Sequence, residues 1–260
     1  MPELKIGIGL SGLKQPFKQA LHTASRLGAT GIEIDARNEI RPSELSDTGR
    51  RQLRKMLNDL NLRVAAVRFP TQRGYDVLAD LERRIDATKE AMRLAYSLGA
   101  SVVINAVGYV PEDVDHPAYD QLQVSLGDLA GYGQHVGAML ACETGSEPVE
   151  RLVGLVESLA DQTIGIAFNP ANLLISDCYS EDAIATCASR TLVVAARDAV
   201  RDLARRRGMD VPLGRGAIDF PQILGQLEQQ RYAGWYIVDR PSSDQPIEDI
   251  GNAIKFLRAL

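Results

Sequence analysis

Apolar and polar positions along the chain switch repeatedly between the two-residue period of a strand and the roughly 3.6-residue period of a helix. Lys5 to Gly9 alternates as a strand, and Phe17, Ala20, Leu21, Ala24 and Leu27 then recur at helical spacing up to Gly28. Gly31 to Asp35 predicts a second strand, and Leu53, Met56, Leu57 and Leu60 a second helix. Leu62 to Phe69, closed by Pro70, predicts a third strand, and Leu81, Ile85, Thr88, Met92 and Ala95 one face of a long third helix. Ser101 to Val107 is the fourth expected strand, Tyr119 to His135 the fourth helix, Ala138 to Glu143 the fifth strand and Pro148 to Leu159 the fifth helix. The sixth strand starts at Thr163 and stops at Asn169-Pro170, because proline cannot donate to a sheet ladder. There the chain opens into a loop carrying Asn169 and Asn172. Ser180 to Ala188 predicts a short sixth helix, Thr191 to Ala196 the seventh strand, Phe220 to Gln230 the seventh helix and Gly234 to Asp239 the eighth strand. Ile247, Ile250, Ile254 and Leu257 line one side of the last helix. The charged run Asp198 to Met209, which contains Arg205-Arg206-Arg207, reads as a solvated insertion.

Strand and helix thus alternate through eight cycles, each helix long enough to cross back over the sheet, which makes neighbouring strands parallel. Eight such units close into a (β/α)8 TIM barrel, an α/β fold that needs about 250 residues. The chain has 260, and no linker or shift in composition divides it, so one domain over residues 1–260 is expected. In such a barrel the ligand site lies at the C-terminal ends of the strands. Here that mouth would gather Ser11, Asp35, Arg68, Asn105, Glu143, Asn169, Ala195 and Asp239 with the loops that follow them.

Charge and composition narrow the partners. With 29 Lys and Arg against 34 Asp and Glu the net charge is −5, which argues against nucleic acid or an anionic membrane and for a small soluble ligand. Cys142, Cys178 and Cys187 show neither C-x-x-C nor zinc-type spacing and read as reduced thiols. No basic segment precedes an apolar stretch near the start, and no run reaches the roughly 20 apolar residues of a membrane helix. A cytoplasmic protein is the expectation.

Gly7-Ile8-Gly9-Leu10-Ser11-Gly12 is a literal G-x-G-x-x-G, with Glu33 and Asp35 some twenty residues on, as in dinucleotide-dependent oxidoreductases. In that motif the helix begins within the glycine turn. Here Gly7 and Gly9 fall inside a strand and Pro16 marks a later helix start, so close packing of the first strand is the competing explanation. His22, His116 and His135 follow no barrel strand and read as surface or packing residues, which leaves no candidate for His-based acid–base chemistry or a Ser-His triad. Two carboxylates end strands at the mouth instead: Glu143 in Ala-Cys-Glu-Thr-Gly and Asp239 in Tyr-Ile-Val-Asp-Arg. A facing pair of this kind can hold a metal or move a proton.

Taken with Leu-Gly-Ala-Thr-Gly-Ile-Glu-Ile-Asp (27–35), Glu-Thr-Gly (143–145), Phe-Asn-Pro-Ala-Asn-Leu-Leu (168–174), Val-Pro-Leu-Gly-Arg-Gly-Ala-Ile-Asp-Phe-Pro (211–221) and Gly-Trp-Tyr-Ile-Val-Asp (234–239), the chain resembles the xylose isomerase-like barrels of sugar and sugar phosphate isomerases and epimerases. The resemblance implies one divalent cation, Mn²⁺, Co²⁺ or Mg²⁺, held by Glu, Asp, His and Glu after strands five to eight, with the two glutamates moving a proton beside a sugar carbonyl. The matching positions here are Glu143, Asn169, Ala195 and Asp239, and only Glu143 is unchanged. Asp239 is shorter than Glu by about 1.5 Å, whereas metal–ligand distances hold to about 0.2 Å. A degenerate site is therefore expected, with Glu143, Asn169 and Asp239 binding a cation weakly or not at all.

Arg68, Arg197 and Arg240 also end or follow strands, with Arg73 and Arg215 in nearby loops. They read either as solvated rim residues or as an anion site of bidentate guanidinium groups. Ala195 further leaves space that Arg68 or Arg240 could fill, placing positive charge where the cation would sit. Two functions follow from this reading. One is a sugar, sugar phosphate or sugar acid isomerase or epimerase with Glu143 and Asp239 catalytic and Arg68, Asn105, Asn169, Asn172, Arg197 and Arg240 at the substrate. The other is a catalytically inactive barrel that binds an anionic small molecule as a sensor or regulator.

Overall fold

Alternation within each short strand sorts side chains between an inner compartment and a shell of helices. The computed structural model describes residues 4–159, 164–202 and 207–260. Its strands are β1 (Lys5–Gly9), β2 (Gly31–Asp35), β3 (Arg63–Arg68), β4 (Val102–Asn105), β5 (Met139–Glu143), β6 (Ile164–Phe168), β7 (Thr191–Ala196), β8 (Asp198–Asp202), β9 (Arg207–Val211) and β10 (Trp235–Val238). Eight of them close in the order β1-β10-β7-β6-β5-β4-β3-β2, and every neighbouring pair is parallel. This is the (β/α)8 barrel that the pattern predicts. Thr163, the expected start of the sixth strand, lies outside the described residues.

The interior is narrow because small residues line it. Ala65, Ala66, Ala141 and Ala167 pack with Ile104, Val193 and Ile237 as a core of their own, separate from the one beneath the helices. Trp235 closes the N-terminal side: a Cβ on Gly31 would lie 2.5 Å from its ring, so only glycine fits there. Outside run α1 (Phe17–Arg26), α2 (Asp47–Asp59), α3 (Leu81–Ser97), α4 (Pro117–Val136), α5 (Val149–Ser158), α6 (Pro170–Ile175), α7 (Ala183–Cys187), α8 (Phe220–Gln229) and α9 (Pro246–Ala259). The predicted stripes Ala20, Leu21 and Ala24, Thr88, Met92 and Ala95, and Ile250, Ile254 and Leu257 are all buried. Ile247, expected on the last stripe, is 38% exposed in the first turn of α9. Among the described residues no helix is long and apolar enough to cross a membrane.

Two segments differ from expectation. The charged run after β7 is solvated only in part: β8 and β9 form an antiparallel hairpin whose first residues, Asp198 and Ala199, are buried, while Arg201 and Met209 are exposed. Charge concealed a short alternation there, and the expected exposure of Arg205 and Arg206 falls outside the described residues. The stretch after β6 is the helix α6 rather than a loop, with Pro170 in its first turn and the Asn169 side chain accepting from Asn172 N at 3.1 Å. Proline stops a strand but suits the first helical position equally well.

Candidate active site

Arg68 ends β3 pointing into the barrel mouth, between carboxylates from two other strands. Its Nε donates to Glu33 Oε1 at 2.7 Å, and Nη1 and Nη2 donate to Glu143 Oε2 and Oε1 at 2.8 and 3.1 Å. The last two form the bidentate fork that guanidinium geometry favours. Three of the five N–H groups of arginine are used in this way, and the side chain keeps 26% of its surface exposed toward the mouth. Asn169 completes the cluster, its Nδ2 donating to Glu143 Oε1 at 2.9 Å while its Oδ1 caps α6. Both partners require the same amide orientation. Thr144 holds the backbone in place, accepting from Asn169 N at 2.8 Å.

These contacts separate the carboxylates electrostatically. Burial alone would raise Glu143, but the Arg68 guanidinium and the Asn169 amide hold it below the usual carboxylate range. Glu33 is pushed up by burial, only partly offset by Arg68, and its Oε2 is buried without a partner. Asp239 is likewise raised by burial against the opposing charges of Arg197 and Arg68, and its Oδ1 also lacks a partner. Asp239 packs so tightly on the loop after β1 that a Cβ on Gly12 would overlap Oδ1, and one on Gly9 would come within 3.1 Å of the Asp239 Cβ. The glycines of the dinucleotide-like fingerprint therefore lie in β1 and against Asp239, and the first α-helix begins only at Phe17.

The other expected site residues are tied into the walls. Arg197 donates to Asn172 Oδ1 at 3.3 Å and to Asp210 Oδ1 at 3.1 Å, while Arg240 donates to Asp210 Oδ2 at 3.3 Å and to Asp249. Asp210, on β9, thus couples both arginines. Asn105 is buried, donating to the Tyr75 hydroxyl at 3.0 Å and accepting from Thr71 Oγ1 at 3.2 Å. Sequence reasoning missed three acids. Glu33 stands on the inward-facing parity of β2, where the sequence marks it only as part of the dinucleotide-like pattern. Asp198 opens the charged run and Asp210 directly follows it, and neither stands out there as a site residue. Asp198 accepts from the backbone of Ala199, Gly214, Gly216 and Ile218 at 2.8–3.2 Å, anchoring the loop beyond the hairpin. Among the described residues no three His, Cys, Asp or Glu side chains gather as a metal-binding group.

A model of the xylose isomerase-like TIM barrel family matches residues 21–260. No curated protein matches the sequence. The fold is similar to that of a xylose isomerase domain protein from Planctomyces limnophilus, at TM-score 0.87 and 21% identity over 99% of this chain and 97% of the other. It is also similar to a xylose isomerase-like TIM barrel protein from Mycobacterium smegmatis in complex with magnesium, at TM-score 0.79 and 16% identity over 99% and 97%. A third is D-psicose 3-epimerase with D-tagatose from Clostridium cellulolyticum H10, at TM-score 0.79 and 15% identity over 98% and 99%.

Proposed function

The chain belongs to the xylose isomerase-like TIM barrel family, and from that premise we propose that it is a sugar isomerase or epimerase in which the Arg68 guanidinium takes the place of a divalent cation. The carrying observation is the bidentate Arg68–Glu143 pair at the centre of the mouth. The donor set does not fit a metal ion. Both Glu143 oxygens are engaged by Arg68, the Asn169 oxygen caps α6, and Ala195 has no donor atom. A divalent ion about 4 Å from the guanidinium would also meet repulsion on the order of 8 kcal/mol at an effective dielectric of about 20. Asn169, where the resemblance implies Asp, supports the same reading, since an amide donates to Glu143 where a second carboxylate would repel it.

The chemistry assigned to the site is proton transfer at a carbon beside a carbonyl. In this reading Glu143 positions Arg68, and the proton-moving pair is Asp239 with Glu33, each carrying a buried oxygen without a partner. The ionised carboxylate of one removes the C–H proton, the electron pair moves to the carbonyl oxygen, and the resulting enolate lies against the N–H groups that Arg68 has not committed. The carboxylic acid of the other returns a proton, to the opposite face in an epimerisation or, in an isomerisation, to the neighbouring carbon, where the hydroxyl proton also passes from the oxygen that becomes the carbonyl to the former carbonyl oxygen. An upward shift is the direction that suits a general acid, which must hold its proton more firmly than a free carboxyl does. A fixed guanidinium stabilises the developing charge without reorganising.

Incubation with D-fructose, D-psicose, D-tagatose and L-ribulose, and with the terminal phosphate of each, in D2O containing EDTA tests the proposal. The expected result is solvent deuterium at the carbon beside the carbonyl of one of them, lost in Asp239→Asn and Glu33→Gln with the fold retained. Exchange that required added Mn²⁺, or that survived both substitutions, would overturn it. Binding without any exchange would favour the second reading, an inactive barrel holding an anionic small molecule at the N–H groups that Arg68 leaves uncommitted.

A further inference from the structure

Beside the mouth, between the loops after β2 and β3 and the first turns of α3, lies a cavity of about 390 Å³. Four arginines line it, Arg37, Arg73, Arg83 and Arg84, and Asp80 is the one acid on its wall, so the lining carries a formal excess of positive charge within an acidic chain. Two of the four are fastened to backbone carbonyls: Arg37 Nη1 donates to Pro70 O at 3.0 Å, and Arg84 donates to Val77 and Ala79. Those bonds spend donors without neutralising charge, and Arg84 Nε is buried with no partner. The side chains of Arg73 and Arg83 have no hydrogen-bond or ion-pair partner among the described residues.

The helix start adds to the field. Asp80 sits in the left-handed region at φ 56° as the N-cap of α3, and its side chain makes no cap bond. Amides in the first turn of a 17-residue helix therefore border a cavity already rich in guanidinium groups, and helix N-termini favour anions. The volume falls within the range of small-molecule sites and exceeds what a lone ion needs. The cavity also adjoins the mouth, since the lining residue Phe69 follows Arg68 directly and Thr71 donates to Asn105 at the end of β4.

We infer that this cavity is an anion subsite that takes the terminal phosphate or carboxylate of a sugar whose carbonyl lies at Arg68. Its role toward a substrate rests on the isomerase reading, whereas anion binding itself does not. Guanidinium groups pair bidentately with either anion, so the ligand class is a sugar phosphate or sugar acid rather than a neutral sugar.

Calorimetry with inorganic phosphate and with gluconate, on wild type, on an Arg73→Gln/Arg83→Gln double variant and on Asp239→Asn, tests the subsite. Both altered arginines are exposed, so the double variant should keep its phosphate-free melting temperature. The expected result is that at least one anion binds wild type, that its affinity falls at least tenfold in the double variant, and that Asp239→Asn binds as wild type does. Which anion binds identifies the terminal group. No binding of either anion to wild type, or equal binding in the double variant, would overturn the subsite. Phosphate binding that obeys this pattern while neither the ketoses nor their terminal phosphates exchange deuterium would sink the isomerase reading and leave the subsite standing.

Discussion

Asn169→Asp changes one NH2 to an oxygen and almost nothing in shape, yet it should reverse the electrostatics of the mouth. The 2.9 Å hydrogen bond from Asn169 to Glu143 would become a contact between carboxylates. At that separation and an effective dielectric of about 20, two unit charges repel by about 6 kcal/mol, and a hydrogen bond to a charged group worth about 1.5–3 kcal/mol is lost. Protonation of the introduced aspartate offers an escape, because its O–H can then donate to Glu143. Holding that proton at pH 7 against an unfolded pKa of about 3.9 costs about 4 kcal/mol, which caps the penalty. With Arg68 nearby to lower it, a loss of about 2–4 kcal/mol at pH 7 is expected. The sign follows from linkage: the introduced acid has a raised folded pKa, so stability is retained below about pH 4 and lost, by up to about 1.4 kcal/mol per unit, as pH rises through that folded value. Urea denaturation between pH 4.5 and 8 in EDTA measures both quantities. A loss under about 0.5 kcal/mol at pH 7, or one independent of pH, would refute the assignment of the Asn169 amide as a donor to Glu143.

Two further substitutions probe the surroundings. Asp198→Asn turns an NH2 toward two of the four backbone N–H groups that the carboxylate satisfies, and urea denaturation should show a loss of at least about 2 kcal/mol; near-wild-type stability would deny the anchor. Glu39, raised by burial to about 7 despite accepting from Asp35 N at 2.7 Å, favours the folded state fully below about pH 4.5 and loses that contribution as pH rises through 7. Glu39→Gln should therefore match wild type at pH 4 and exceed it on the order of 1–3 kcal/mol at pH 8; the opposite order at pH 8 would contradict the shift.

The barrel was legible because its information is local. Ala20, Leu21 and Ala24 or Thr88, Met92 and Ala95 declare a helix face whatever surrounds them, and Asn169-Pro170 ends a strand by covalent geometry alone. The hairpin was not legible, since Asp198 and Asp210 look like solvated charges until the fold brings four amides to one and two arginines to the other. The positions Arg68, Glu143, Asn169 and Asp239 could be assigned to one end of the barrel by counting strands. Their pairing could not, because Glu33 and Glu143 lie 110 residues apart and meet only through Arg68. A side chain that satisfies two distant carboxylates leaves no periodic trace.

The claim that a guanidinium serves as the cation of this mouth is tested most directly by calorimetric titration of Mn²⁺ into wild-type protein freed of chelator. With Glu143 engaged by Arg68 and Asn169, no stoichiometric binding is expected, and only weak heats at millimolar metal. Binding of one Mn²⁺ per chain with micromolar or tighter affinity would contradict the account.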